Sequence, residues 1–136
     1  MSKESDMKEI TKIKETCLYI KDLDAAKDFY HGKLGLGIIH HEPGKHIFFR
    51  AGSSVLLCFN PEDSKAKKSP PPHYAEGNQH FAFEVEQKDY DAVKAQIASL
   101  GIKIIDQLVW KSGQESFYFN DPEGNVLEFV PIGVWD

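Results

Sequence analysis

The chain has 136 residues, of which 41% are hydrophobic, so it is large enough to form one domain with its own core. Its net charge of -5 and its single arginine, Arg50, argue against a nucleic-acid-binding protein and exclude an arginine cluster for phosphates. No apolar run approaches the roughly 20 residues of a transmembrane helix, and Met1–Glu9 lacks the apolar core of a signal peptide. Because Cys17 and Cys58 are too few for a disulfide scaffold, we expect a cytoplasmic protein without nucleic-acid or membrane partners.

The first half of the chain predicts one strand, one helix and three further strands after a frayed tail at Met1–Glu9. Thr16, Leu18 and Ile20 alternate with polar residues, which is the pattern of a half-buried strand. A helix capped by Asp22 or Asp24 follows, and Gly35 and Gly37 end it. The remaining strands are predicted at Gly37–His41, His46–Arg50 and Ser54–Phe59, and the histidines around the turn between the first two are interpreted as solvated strand ends.

The second half repeats this order after a proline-rich connector. The strand His80–Glu86 leads into a helix that we expect Asp89 to cap. The other predicted strands are Lys103–Trp110, Ser116–Asn120 and Val126–Val130. A repeated β-α-β-β-β order predicts a single α+β domain spanning residues 1–136, with module one at about 10–60, the connector at about 61–78 and module two at about 79–131. Each helix should cover the convex face of a mixed sheet, which leaves the concave faces to form a cup.

Strand alternation places three metal-binding residue types on the faces turned away from the helices. If Leu18 and Phe81 face the helices, Glu15 and His80 point into the cup from equivalent positions of the repeat. Glu128 in the last strand has the same orientation. Two carboxylates and one imidazole suit Mn²⁺, Fe²⁺, Ni²⁺, Zn²⁺ or Mg²⁺, so we predict a divalent metal site at these three residues.

Three motifs resemble the vicinal oxygen chelate superfamily, which includes glyoxalase I, extradiol dioxygenases and bleomycin-resistance proteins. The motifs cover Leu18–Leu23 with Phe29-Tyr30, Gln79–Val85 and Phe117–Phe129. The resemblance implies a fold of two βαβββ modules that form a metal-binding cup. It also implies ligands at His80, at Glu128 and, where the family more often has His or Gln, at Glu15.

The resemblance also shows where this chain departs from individual families. The fourth ligand of glyoxalase I, a carboxylate late in the first module, falls on Leu57 or Cys58. Fosfomycin enzymes carry a threonine two residues after the first ligand and a C-terminal arginine. Here Cys17 stands at the position of that threonine, and no arginine follows Arg50, so fosfomycin is not the expected substrate.

The expected function is a glyoxalase-like, metal-dependent lyase or isomerase that binds a small substrate through vicinal oxygens. The metal would stabilise an oxyanion, and a carboxylate, Glu128 or Glu84, would move a proton. Five further residues are candidates for binding the substrate: Cys17, Tyr19, Arg50, Trp110 and Tyr118. Two alternatives stay open, namely a metal-free binding protein of the bleomycin-resistance type and an extradiol-type dioxygenase. The resemblance further implies a homodimer, in some members with modules exchanged between chains.

Overall fold

A computed structural model describes residues 7–136, so the first six residues of the predicted tail lie outside the described part. The first module contains β1 (Glu15–Tyr19), α1 (Leu23–Ala26, continued by π-helical turns at Lys27–Lys33), β2 (Ile38–Glu42), β3 (His46–Ala51) and β4 (Ser54–Phe59). The connector contains α2 (Pro61–Ala66). The second module contains β5 (His80–Val85), α3 (Tyr90–Ser99), β6 (Ile104–Val109), β7 (Glu115–Asn120) and β8 (Val126–Pro131).

The strands form two four-stranded sheets with the same topology. The strand order is β1-β4-β3-β2 in the first sheet and β5-β8-β7-β6 in the second. In each sheet the first strand pairs in parallel with the last, and the other pairs are antiparallel. The two βαβββ modules and the mixed sheets of the predicted α+β fold are thereby confirmed.

The helix starts differ in how they are capped. Asp22 caps α1, because its carboxylate accepts a hydrogen bond from the Ala25 N–H at 3.0 Å. Asp89 stands at the start of α3 after a short 3₁₀ turn, but its side chain makes no capping hydrogen bond, so that prediction was wrong. Sequence reasoning also missed α2, although Asn60 followed by Pro61 is a helix-start signal, and the Asn60 side chain accepts from the Glu62 N–H.

Both modules contribute to one hydrophobic core. Phe29 on α1 lies 6.4 Å from Phe119 on β7, measured between ring centroids, although the two residues belong to different modules. The Tyr30 hydroxyl donates to Asp121 in the β7–β8 turn at 2.7 Å, and both residues are buried. The helix-side faces of both sheets therefore pack into one shared hydrophobic core. We call the opposite face of each sheet its outer face.

Candidate functional site: the outer faces of the two sheets

Strand register defines equivalent rows of residues on the two outer faces. In the second sheet, Ala82 pairs with Glu128, and Glu128 pairs with Tyr118. In the first sheet, the equivalent row is Cys17, Leu57 and Phe48. Residues in one row point to the same side of a sheet, so Glu128 and Leu57 occupy corresponding positions.

This register decides between Leu57 and Cys58 as the counterpart of Glu128. The β3–β4 turn leaves four residues between the paired Arg50 and Val55, whereas the β7–β8 turn leaves five between the paired Asn120 and Val126. The extra residue shifts the repeat by one position after the turn. Leu57 is therefore the counterpart of Glu128, and the second turn is one residue longer than the first.

His80 and Glu128 form a close pair on the outer face of the second sheet. The Nε2 atom of His80 lies 3.2 Å from Oε1 of Glu128, and the imidazole is half exposed, at 51%, while the carboxylate is only 8% exposed. The Nδ1 atom of His80 lies 2.9 Å from the carbonyl oxygen of Val126. A carbonyl oxygen only accepts, so Nδ1 carries the proton in this contact, and its hydrogen bond aims Nε2 at the carboxylate.

The remaining members of this outer face surround the pair. The ring of Tyr118 lies 6.1 Å from that of His80, and burial, with a contribution from the charge of Glu128, raises the pKa of Tyr118. Glu84 is exposed one row further along β5. Trp110, just beyond β6, donates its indole N–H to the hydroxyl of Ser116 at 3.1 Å.

Glu15, the third predicted ligand, lies on the outer face of the first sheet. Within residues 7–136, no group of three His, Cys, Asp or Glu side chains could hold a metal ion. One chain therefore brings His80 and Glu128 together and does not bring Glu15 to them. The reason is the shared core: the outer faces of both sheets point away from it.

The other predicted residues of the first outer face have different surroundings. Burial, and secondarily the charge of Glu15, raises the pKa of Cys17, which favours a packed thiol over a reactive thiolate. Arg50 is exposed and shares a row with Val55 and Glu15. Tyr19 lies 2.7 Å, through its hydroxyl, from Nδ1 of His73 in the connector. The connector therefore covers this end of the first outer face.

Sequence reasoning missed an aromatic and histidine cluster on the same face. His46 is only 8% exposed, stacks on Phe48 at a centroid distance of 4.2 Å, and lies 2.8 Å from His40 between ring nitrogens. Its other ring nitrogen is buried without a hydrogen-bond partner. The interpretation of these histidines as solvated strand ends was wrong for His46. His46 and Phe48 are two residues apart in one strand and therefore lie on the same face. This alternation is the sequence signal that could have identified the cluster.

Comparisons with known proteins agree with this architecture. Residues 12–129 match the family model of the Glyoxalase/Bleomycin resistance protein/Dioxygenase superfamily. The chain belongs to this superfamily.

Individual relatives are similar along most of their length. The chain is 30% identical over 111 residues to glutathione transferase FosA of Serratia marcescens, covering 82% of this chain and 74% of that protein. The crystal structure of lactoylglutathione lyase from Agrobacterium tumefaciens matches with a TM-score of 0.89 and 36% identity, covering 94% of this chain and 98% of that one. A glyoxalase/bleomycin resistance protein/dioxygenase from Alicyclobacillus acidocaldarius matches with a TM-score of 0.66 at 25% identity, covering 88% and 90%.

One further finding concerns membranes. Within the described residues, the helices are too short or too polar to cross a bilayer.

Proposed function

We propose that this chain is a glyoxalase-like, metal-dependent enzyme of the lyase or isomerase type that works as a cytoplasmic homodimer. Its substrate is a small molecule that presents vicinal oxygens, with a glutathione adduct of a 2-oxoaldehyde as the first choice. The similarity to lactoylglutathione lyase supports that choice. FosA is a weaker guide to the substrate, because Arg50 is the last arginine of this chain.

The geometry of His80 and Glu128 is the observation that carries the proposal. With Nδ1 donating to Val126, a neutral imidazole presents a lone pair from Nε2 to a carboxylate oxygen 3.2 Å away. Two acceptors at this distance need a proton or a cation between them. Metal-binding histidines commonly donate their other ring N–H to a backbone carbonyl in this way, so the pair fits a divalent metal.

A second copy of the chain supplies the third ligand in this proposal. Glu15 of one copy meets His80 and Glu128 of the other when the first outer face of one chain lies against the second outer face of its partner. Twofold symmetry then generates two such sites per dimer. Two carboxylates and one imidazole suit Mn²⁺, Ni²⁺, Fe²⁺, Zn²⁺ or Mg²⁺.

The roles of the protein groups follow from their positions. When bound, the metal supplies Lewis-acid stabilisation of an oxyanion. Glu84, exposed one row from Glu128, moves the proton at the carbon beside the ligating oxygens. Arg50, in the row of Glu15, binds a carboxylate of the substrate. The rest of the site, which the two copies enclose, is lined by Cys17, Tyr19, Trp110 and Tyr118.

Metal binding and activity test the proposal directly. Chelator-treated protein is incubated with Mn²⁺, Ni²⁺, Fe²⁺ or Zn²⁺, bound metal is counted, and turnover of the methylglyoxal–glutathione hemithioacetal is measured. We expect near-stoichiometric metal in wild type and in Leu57→Ala, the matched control from the equivalent row. His80→Ala and Glu128→Ala should lose more than about 100-fold in metal affinity, beyond the range typical of outer-shell partners. Metal-free wild type after these incubations would instead favour the binding-protein alternative.

Complementation between two inactive variants tests the second copy. Glu15→Ala and His80→Ala are each inactive, because both sites of each homodimer lack a ligand. When the two are unfolded together and refolded, half of the dimers are mixed and carry one intact site, so about a quarter of wild-type activity returns. Activity that stays absent in the mixture, while each variant still dimerises, would show that Glu15 is not contributed across the dimer.

A further inference from the structure

The outer face of the second sheet extends beyond the His80–Glu128 pair into an aromatic surface. Trp135, close to the C-terminus, packs edge-on against Trp110 with a centroid distance of 5.4 Å and is 78% exposed. Trp110 lies over Ser116, which is completely buried although it belongs to the outer face. We call Trp110 and Trp135 the tryptophan wall.

The wall stands at a defined distance from the pair. Ser116, which anchors Trp110, is two residues from Tyr118 along β7, and Tyr118 pairs directly with Glu128. Two residues of strand span about 7 Å and neighbouring strands lie about 4.8 Å apart, so the Cα atom of Ser116 lies roughly 8 Å from that of Glu128. An aryl group that is attached to oxygens held at Glu128 and directed along β7 is therefore long enough to approach the Trp110 ring over Ser116.

Hydrogen bonding in the wall determines what kind of group it accepts. The indole N–H of Trp110 is already donated to Ser116, so this side chain offers ring surface to a ligand and no free donor. Leu108, 41% exposed, lies in the same row as Ser116 and adds apolar surface. Exposed aromatic and aliphatic carbon next to a polar pair favours a planar, apolar substituent.

We propose that the tryptophan wall is a specificity-determining subsite for an aryl substituent of the substrate whose vicinal oxygens bind at His80 and Glu128. This subsite rests on the proposed function, in which those oxygens bind at His80 and Glu128. The subsite therefore selects substrates that carry an aryl group beside the vicinal oxygens over analogues that carry a methyl group there.

A matched pair of ligands tests this subsite without turnover. Benzohydroxamate and acetohydroxamate both chelate a divalent ion through vicinal oxygens and differ only in phenyl against methyl. Their dissociation constants are measured by calorimetry on the Ni²⁺-loaded full-length protein. In wild type, benzohydroxamate should bind about tenfold more tightly, the factor that corresponds to about 1.4 kcal/mol and lies within the range of one aromatic contact.

Variants of the wall separate the subsite from the metal site. Trp135→Ala, at an exposed position that tolerates truncation, should reduce the affinity ratio to about two and leave acetohydroxamate binding unchanged, whereas Trp135→Phe retains most of it. Trp110→Phe should reduce the ratio partially.

The outcomes distinguish failure of this subsite from failure of the proposed function. If neither hydroxamate binds the metal-treated protein, the proposed function is wrong and the subsite falls with it. If both bind with equal affinity, or if the ratio survives in Trp135→Ala, the subsite alone is wrong. A ratio that survives while Trp135→Ala changes the molecular mass in solution would identify the wall as an interface between copies, which also overturns the subsite.

Discussion

The two modules share a topology, yet their outer faces have different chemistry. The row that carries Glu128 and Tyr118 in the second module carries Leu57 and Phe48 in the first. The second face is open around the half-exposed His80, whereas the connector covers one end of the first face through the contact of His73 with Tyr19. The two sheets therefore share a strand topology, while this row is polar in the second sheet and apolar in the first.

An outer-face residue and a core residue can be neighbours in the sequence. Leu57 lies on the outer face, and Cys58, the next residue, is completely buried in the shared core. We therefore expect a carboxylate to be tolerated at position 57 and not at position 58. The predictions below concern this contrast, then the buried contact that joins the modules, and last the titration of His46, in order of decreasing expected effect.

Placing a glutamate at each of these neighbouring positions should give opposite results. Cys58→Glu should lose about 3–5 kcal/mol of unfolding free energy or fail to fold, because it leaves a charge in the core without a partner. Leu57→Glu should lose about 1 kcal/mol or less, because its side chain reaches solvent. Urea denaturation measures both. Equal destabilisation of the two variants would contradict the register that makes Leu57 the counterpart of Glu128.

The buried contact between the modules should be the next most sensitive feature. Asp121 accepts from the Tyr30 hydroxyl and from the N–H groups of Glu123 and Asn125, so Asp121→Ala leaves several buried donors without an acceptor. We expect a loss of about 3 kcal/mol in unfolding free energy.

Tyr30→Phe is the matched control for that contact. It removes a single donor while Asp121 keeps its other partners, so it should cost about 1 kcal/mol. Thermal and urea unfolding measure both variants. If Tyr30→Phe costs as much as Asp121→Ala, the hydroxyl contact alone joins the modules, and the turn network is not important for stability.

The smallest expected effect is a pH dependence specific to the first outer face. Burial, and then the neighbouring His40, lowers the pKa of His46 from its usual 6.5, while Glu42 and Asp63 oppose this and Lys67 adds to it. Below pH 6.5 the unfolded chain therefore binds a proton at His46 that the folded chain does not bind until lower pH. Stability contributed by neutral His46 is complete above 6.5 and falls as the pH decreases through this window.

His46→Ser tests that dependence, because serine is the residue at the equivalent position 116 of the second face. Between pH 5 and 7, the slope of unfolding free energy against pH should be smaller in the variant. The decrease should be at most the amount that corresponds to about one proton bound on unfolding. The slope is the informative quantity, since losing the stack on Phe48 lowers the stability at every pH. An unchanged slope would contradict the role of His46.

Much of the fold followed from local patterns in the sequence. Alternation at Leu18 and Phe81 identified the helix-side faces, and the glycine at 35 marked the end of α1, where its φ is +78°. Asp22 capped α1 as one of the two predicted candidates. The failures were also local: Asp89 lacks a capping bond because a 3₁₀ turn precedes α3, and the Asn60-Pro61 signal of α2 was read as part of the connector.

Local patterns in the sequence were enough to predict the two modules and the outer-face positions of Glu15, His80 and Glu128 as a candidate trio. These predictions follow from strand periodicity, which depends on neighbouring residues, and from a repeat, which is visible when the two halves of the sequence are compared. Which members of the trio meet depends on how the two modules pack against each other. Packing of the helix-side faces into one core turns the outer faces apart, so His80 and Glu128 pair within a chain and Glu15 does not join them. That arrangement depends on contacts between modules, such as Tyr30 with Asp121, which no local pattern encodes.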